Sequence, residues 1–455
     1  MDKKTHRNRL LVLFPAPYQG HISPMLQLGS ILYSKGFSIT IAHTNFNSPN
    51  PQNYPHFSFL PVQDGLTSHE IEHGVVDKLV AINNNCKEIL QQRLEKLREE
   101  KQEEITCIIS DEFMFFCEEV ANNLKIPSII LSTTCAATTL AHPCHVQLKK
   151  EGQLPCQDSR LHELVPNLHP IRFKDLSYPV PNLDKFSFLV DKTFNNRTSS
   201  AIVSNTVDCL EQSTLEQIRK QSQVRIFDIG PIHKIAPSIS SSLIEEDRRC
   251  IEWLDKQPHH SVIYVSSSGS VASLDEKQVA EIAWGLASSN QPFLWVIRPG
   301  SIRGSEWLEL LPQGLQDCVG ERGCIVKWAP QKEVLAHEAV GGFWSHCGWN
   351  SSLESIAEGV PMICKPFNGD QWINARHLRH VWRVGLELEE LERGEIKKAV
   401  RKLLLNNEGK EMRARAQELK KKIELSLSEG GSSYNSLNGL LELIMHFNST
   451  DLFSE

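Results

Sequence analysis

Short, nearly unbroken apolar runs that alternate with helical patterns restrict this chain more than any other feature. Leu10-Leu11-Val12-Leu13-Phe14 is one such run, Ile105 to Ser110 another and Val262 to Val265 a third. Successive positions are apolar, not every second one, so both faces of each strand must be covered. A parallel sheet between two layers of helices does this. Residues 9–16 read as a strand, a helix opens at Pro24 and ends at Gly36, and Phe37 to Ala42 is the next strand, which together make one βαβ unit. A charged helix over 76–101 leads to strand Ile105 to Ser110. Strands Pro127 to Leu131, Ala201 to Asn205 and Arg225 to Ile229 complete a first sheet.

Residues 232–247 are polar and of low complexity, and past them the alternation restarts. The expected order is strand Val262 to Val265, helix 275–288, strands Phe293 to Ile297, Cys324 to Lys327 and Gly342 to Ser345, helix Asn350 to Ala357, strand Pro361 to Cys364 and a helix from Gln371. Two doubly wound α/β domains are therefore expected, with an interdomain cleft: 1–235, a linker 236–249, and 250–455, whose last helix is expected to pack back on the first domain.

Composition removes several functions. A net charge of −7 argues against nucleic acid, because phosphate binding needs clustered Lys and Arg. The one dense basic stretch, Arg413 to Lys422, reads as a solvated helix face. The N-terminal apolar run stops at Pro15, too short for a signal-peptide core, and no segment approaches 18 apolar residues, so no membrane insertion is expected. Twelve cysteines without CxxC spacing read as reduced thiols of a cytoplasmic protein.

In open α/β sheets, ligands sit beyond the carboxyl ends of the strands. His21 and Asp111 each follow a strand there. Together they form an acid–base pair, in which the carboxylate fixes the imidazole tautomer. Apart, they are a loop histidine and a helix cap. His346-Cys347-Gly348-Trp349-Asn350-Ser351-Ser352 lies at a strand-to-helix turn, where helix capping and anion binding use the same groups. Gly269-Ser270 offers a second small-residue phosphate turn. His69-Glu70-Ile71-Glu72-His73 matches HExxH, but a five-residue island before Gly74 makes a poor zinc helix, so a chance match is expected. No Asp-x-Asp occurs to hold a nucleotide-bound divalent metal.

Residues 328–371, WAPQKEVLAHEAVGGFWSHCGWNSSLESIAEGVPMICKPFNGDQ, resemble the signature box of the plant family-1 UDP-glycosyltransferases. The likeness extends to PxPxQGHxxPM at 15–25, ISD at 109–111, SNT at 204–206, IGP at 229–231, WLDKQ at 253–257 and EGGSS at 429–433. Gln153-Leu154-Pro155 and Lys174-Asp175-Leu176 resemble the subgroup that includes steviol and cytokinin glucosyltransferases. The resemblance implies a GT-B fold, two doubly wound Rossmann-like domains facing across a cleft. It implies a monomer that takes UDP-glucose and a small apolar acceptor, inverts the anomeric carbon and needs neither cofactor nor metal. Trp328 would stack on uracil and the Ala329 backbone would read the base edge. Gln331 and Glu354 would bind ribose. His346, Asn350, Ser351 and Ser270 would hold the diphosphate. Trp349, Asp370 and Gln371 would bind the sugar, with Thr133 or Thr134 reaching it from the other domain. His21 would be the catalytic base and Asp111 its partner.

Some positions depart from the family pattern. Glu338 replaces a usual Pro and Ser345 a usual Thr. The run Tyr264 to Ser270 is one residue longer than the usual YVSFGS, which leaves Ser268 and Ser270 as alternative phosphate ligands. The acceptor pocket is expected from loops 74–90, 134–146 and 178–195, with Phe113, Phe115, Phe116, Phe186, Phe188 and Leu189 either lining it or in the core. A non-catalytic binding protein for a small apolar hormone is the competing reading.

Overall fold

The computed structural model describes residues 9–68, 74–101, 104–176, 182–195, 197–237, 242–266, 269 and 273–447. Ser268, Ser270 and the HExxH match at 69–73 lie outside the described residues. Two compact units emerge, Met1–Pro155 with Pro179–Leu243 and Leu425–Glu455, and Cys156–Tyr178 with Ile244–Glu424.

The first unit is built on seven parallel strands: β1 Leu10–Phe14, β2 Ser38–Thr44, β3 Ser58–Val62, β4 Ile105–Asp111, β5 Ser128–Ser132, β6 Ala201–Ser204 and β7 Arg225–Asp228. Their order is β3-β2-β1-β4-β5-β6-β7, which reverses direction between β1 and β4. The alternating residues of β1 explain its unbroken apolar run. Leu11 and Leu13 face a core shared with Met25, Leu28 and Leu32 of helix Gln19–Ser34 and Leu437, Leu440 and Ile444 of helix Ser432–His446. Leu10, Val12 and Phe14 face Leu79, Ile82, Leu90 and Leu94 of helix Val75–Lys101. Truncating any of these buried side chains to Ala costs about 2–5 kcal/mol.

The second unit carries six parallel strands: β8 Val262–Ser266, β9 Phe293–Val296, β10 Gly323–Val326, β11 Val340–Ser345, β12 Met362–Cys364 and β13 Gly385–Glu387. The order β10-β9-β8-β11-β12-β13 reverses between β8 and β11. Helix Glu276–Ser289 starts at a full capping box, with Asp275 and Gln278 bonded reciprocally. It packs Val279, Ile282 and Leu286 with Ile396, Val400 and Leu403 of helix Arg393–Leu405 over Ile263, Val265 and Trp344.

Several expectations need correction. The first helix starts at Gln19, not Pro24, which lies inside it. The Tyr18 carbonyl accepts from the amides of His21 and Ile22, so the first turn closes before the proline. His21 is therefore a residue of the first helical turn, not of a loop. The three supposed acceptor loops are mainly helical: Val75–Lys101, Ala136–Lys150 and Leu183–Phe194. Phe116 is core, edge-on to Phe14.

Residues 156–178 group with the second unit, although they were expected in the first domain. Buried ions explain this. Asp175 is paired with Arg172 at 2.8 Å and with Arg376 at 3.2 Å. Arg376 also reaches Glu387 at 3.1 Å and donates to the Pro170 carbonyl at 3.1 Å. Removing one partner of such a buried network costs about 3–5 kcal/mol.

The basic stretch Arg413 to Lys422 is helical but not merely solvated. Arg413 donates to the Gly341 carbonyl at 2.7 Å and Arg415 to that of Arg383 at 2.8 Å, while Lys420 pairs with Glu358. All twelve cysteines are free thiols, of which Cys318 is exposed. Among the described residues no helix is long and apolar enough to cross a membrane.

Candidate functional site

Each reversal of strand order leaves a crevice at the carboxyl ends of two strands. In the first unit, Asp111 ends β4 and His21 stands in the first turn of the helix after β1. His21 Nδ1 lies 2.8 Å from Asp111 Oδ2. Asp111 is fully buried and its other oxygen accepts the Phe113 amide at 3.1 Å. A carboxylate is acceptor-only, so it selects the imidazole with the proton on Nδ1 and the lone pair on Nε2. Tyr18 and Phe113 pack edge-on to the imidazole, at 6.4 and 5.6 Å between ring centres.

Thr133, which the resemblance assigns to the sugar, carries its hydroxyl at His21. Thr133 Oγ1 is 2.9 Å from the same Nδ1. The carboxyl of Glu112, a residue that spacing did not single out, accepts from Ser132 Oγ at 2.8 Å and from the Thr133 amide at 3.1 Å. Thr134 Oγ1 lies 3.4 Å from Ser132 Oγ. Burial, and then the charge of Asp111, push the Glu112 carboxyl up to about 7.

In the second unit, β8 and β11 end side by side, with Ser266 opposite Ser345. The chain leaves β11 through His346 and a left-handed Cys347 (φ +65°), whose amide is taken by Ser345 Oγ at 3.0 Å. Helix Trp349–Ala357 then begins, with Gly348 at its cap position. The first turn of a helix directs its amides outward and places a partial positive charge there. His346 is wedged between two glycines. A Cβ on Gly348 would stand 2.6 Å from its Nε2, and one on Gly269 would stand 2.7 Å from it. Desolvation lowers His346 to about 4, with the Ser266 backbone opposing. The ring is thus neutral at pH 7 and offers hydrogen bonds, not charge.

Gln331, Ser351 and Glu354 form a connected set. Gln331 Nε2 donates to Ser351 Oγ at 2.9 Å and to Glu354 Oε2 at 2.7 Å. Tyr264, stacked on Phe343, points its hydroxyl at Gln331 Oε1, 3.3 Å away, which fixes the amide orientation. Burial raises Glu354, and the bond from Gln331 opposes that. Trp328 is half-buried, and its carbonyl accepts the Asp247 amide at 2.9 Å. Ala329 is buried beside it.

Asp370 is tied to the turn after β11 by Asn374, which the motif reading missed. Its Nδ2 donates to Asp370 Oδ2 at 3.0 Å and to the Cys347 carbonyl at 2.9 Å. Positions 370 and 374 are one helical turn apart, but no spacing rule links them to 347, which only the fold brings near. Gln371 Oε1 accepts the amides of Phe367 and Asn368, at 2.9 and 3.0 Å, so its carbonyl end is committed to the turn. Trp349 is almost wholly buried, packed against Trp382 with ring centres 6.1 Å apart. Asn350 follows it in the first turn.

The chain is similar to known proteins over nearly its whole length. A model of the family "UDP-glucoronosyl and UDP-glucosyl transferase" matches residues 69–422. UDP-glycosyltransferase 76E1 of Solanum lycopersicum is 47% identical over 97% of this chain and 93% of its own length. A flavonol 3-O-glucosyltransferase of Arabidopsis thaliana, UGT76E12, is 46% identical over 98% of each. Among solved structures, UGT2 of Phytolacca americana, complexed with UDP-2fluoro-glucose and pterostilbene, aligns with a TM-score of 0.81 and 28% identity over 97% of this chain and 100% of that one. A pair of Rossmann-like domains of the GT-B class, a family model spanning most of the sequence and relatives nearly half identical from end to end place this chain among the plant family-1 UDP-glycosyltransferases.

Proposed function

We propose that the chain transfers glucose from UDP-glucose to a hydroxyl of a small apolar molecule, with inversion and without a metal ion. The observation that carries this reading is the 2.8 Å contact between His21 Nδ1 and Asp111 at the strand-order reversal of the first unit. With Nδ1 protonated, Nε2 removes the acceptor proton as the oxygen attacks the anomeric carbon. Asp111 stabilises the imidazolium that forms. UDP departs on the opposite face, and a single displacement turns an α-linked donor into a β-glucoside. The diphosphate is met by the first turn of helix Trp349–Ala357 and by hydrogen bonds from His346 and Ser351. Trp328 stacks on uracil and the Ala329 backbone reads its edge, while Gln331 and Glu354 take the ribose hydroxyls. The aromatic flanks of His21 suit an apolar acceptor. The relative named as a flavonol 3-O-glucosyltransferase supports glucose as the sugar. A mass-spectrometric screen of plant phenolics, terpenoids and hormones with UDP-glucose tests this. A glucoside product with matching UDP release is expected, and binding of the small molecules without UDP release would favour the binding-protein reading.

Gly348→Ala should weaken UDP binding, because the added methyl displaces the His346 ring from its slot. Losing one or two hydrogen bonds to a diphosphate costs roughly 10- to 100-fold in affinity. Calorimetric titration with UDP checks it, and an unchanged Kd would remove His346 from the diphosphate site.

Gln371 contributes to glucose selection through its Nε2, since Oε1 already holds the turn at 367–368. Gln371→Ala should lower the rate at subsaturating UDP-glucose roughly 5- to 100-fold. Gln371→His should narrow the preference for glucose over galactose. Competition between the two UDP-sugars at equal concentration measures both. An unchanged preference at an unchanged rate would leave donor choice to Asp370 and Trp349.

A further inference from the structure

The His21–Asp111 pair does not stand alone. Two strands contribute to its surroundings beyond Asp111 itself. Glu112 follows β4 and is buried at 2% exposure, while Thr133 follows β5 at 5%. A buried carboxyl beside a buried aspartate is costly unless its oxygens are satisfied. Each Glu112 oxygen has a donor, Ser132 Oγ for one and the Thr133 amide for the other. These bonds fix the turn that carries Thr133, whose hydroxyl reaches His21 Nδ1. We propose that Glu112 and Thr133 are positioning residues: Glu112 clamps the Ser132–Thr133 turn, and the Thr133 hydroxyl shares the Nδ1 proton of His21 with Asp111, so that the ring is held in one tautomer and one orientation with Nε2 toward the acceptor.

The Thr133 oxygen is on the Nδ1 side of the imidazole, away from the nitrogen that acts as base. A three-centre bond from one N–H to a carboxylate oxygen and a hydroxyl blocks rotation of the ring about its Cβ–Cγ bond more firmly than a single acceptor does. The charged and titratable groups around Glu112 are Asp111 on its own strand, His21 on the helix after β1, and Arg197, which donates to the Glu112 carbonyl at 3.0 Å and pairs with Glu118 at 2.8 Å.

This proposal rests on His21 being the base, so the experiment carries separate arms for the two. Wild type, His21→Ala, Thr133→Val, Thr133→Ser and Glu112→Gln are prepared as full-length protein with ¹⁵N-labelled histidine. The His21 resonances are those absent from His21→Ala, and their tautomer and Nδ1–H exchange are read without any acceptor. Thr133→Val preserves shape at a buried position, and Glu112→Gln keeps an acceptor for the Thr133 amide, so both are expected to fold. Nδ1–H exchange should be roughly 5- to 50-fold faster in Thr133→Val and restored in Thr133→Ser. Glu112→Gln leaves Ser132 Oγ without its carboxylate acceptor and so loosens the turn that carries Thr133, and Nδ1–H exchange should rise in it as well, by a smaller factor than in Thr133→Val. With an acceptor from the screen, Thr133→Val should lower kcat roughly 5- to 50-fold while both KM values stay within about twofold. Wild-type exchange, tautomer and kcat in Thr133→Val would overturn the proposal. So would a raised KM for UDP-glucose with unchanged His21 resonances, which would return Thr133 to the sugar. A His21→Ala variant with full activity would overturn the base reading instead, while the resonance data still decide the clamp.

Discussion

His21→Ala is expected to lower turnover on an aliphatic alcohol by about 10²–10⁴-fold while leaving UDP binding nearly intact. An alcohol is a weak nucleophile until its proton is taken, and Nε2 of His21 is the basic group that the fold presents beside Tyr18 and Phe113. His21 belongs to the first unit and the residues assigned to UDP belong to the second. An acidic phenol should be less affected, because its oxygen is already largely ionised. Steady-state rates with one alcohol and one acidic phenol check this, and equal losses on both would point to a structural defect.

Asp111→Asn should cost nearly as much, on the order of 10³–10⁴-fold in kcat. The reason lies in the second oxygen of Asp111, which accepts the Phe113 amide at 3.1 Å. An asparagine keeps that bond only by placing its oxygen there, and its NH₂ then faces His21 Nδ1. Nδ1 must become the acceptor, the proton moves to Nε2, and the nitrogen that should take the acceptor proton already carries one. The substitution changes neither volume nor burial, so the folded structure should survive. Turnover at saturating UDP-glucose is the measurement, and a loss of less than tenfold would mean that Asp111 does not set the tautomer.

Both residues were legible because they stand where open parallel sheets place their ligands, at the ends of strands that the apolar runs identify. The central strands were readable for the same reason: burial on both faces demands unbroken hydrophobicity, and β1, β4 and β8 show it. The edges were not. β3 holds Pro61 and is half-exposed, and β13 has three residues, so neither carries the pattern of a central strand. Helix Gln19–Ser34 was entered late because proline usually marks a first turn, yet its Pro24 sits inside.

The motif residues of the second unit lie near one another in sequence, and much of their geometry followed from one strand–turn–helix. Their supports were hidden. Tyr264 orients Gln331 from 67 residues away, and Asn374, one helical turn past Asp370, reaches the Cys347 carbonyl through a contact that no periodicity encodes. Glu112 stayed invisible for another reason. Beside Asp111 it reads as a second solvated acid, and only burial in the fold gives it hydrogen-bond partners at the end of β5.

The central claim, inverting metal-free glucosyl transfer from UDP-glucose, has one direct test. Purified protein, UDP-glucose and the acceptor found by the screen are incubated in EDTA, UDP is quantified, and the anomeric configuration of the product is read by proton NMR. The account predicts one UDP per glucoside, a β linkage and a rate that EDTA leaves unchanged. An α-linked product, or activity that EDTA abolishes and a divalent cation restores, would contradict it.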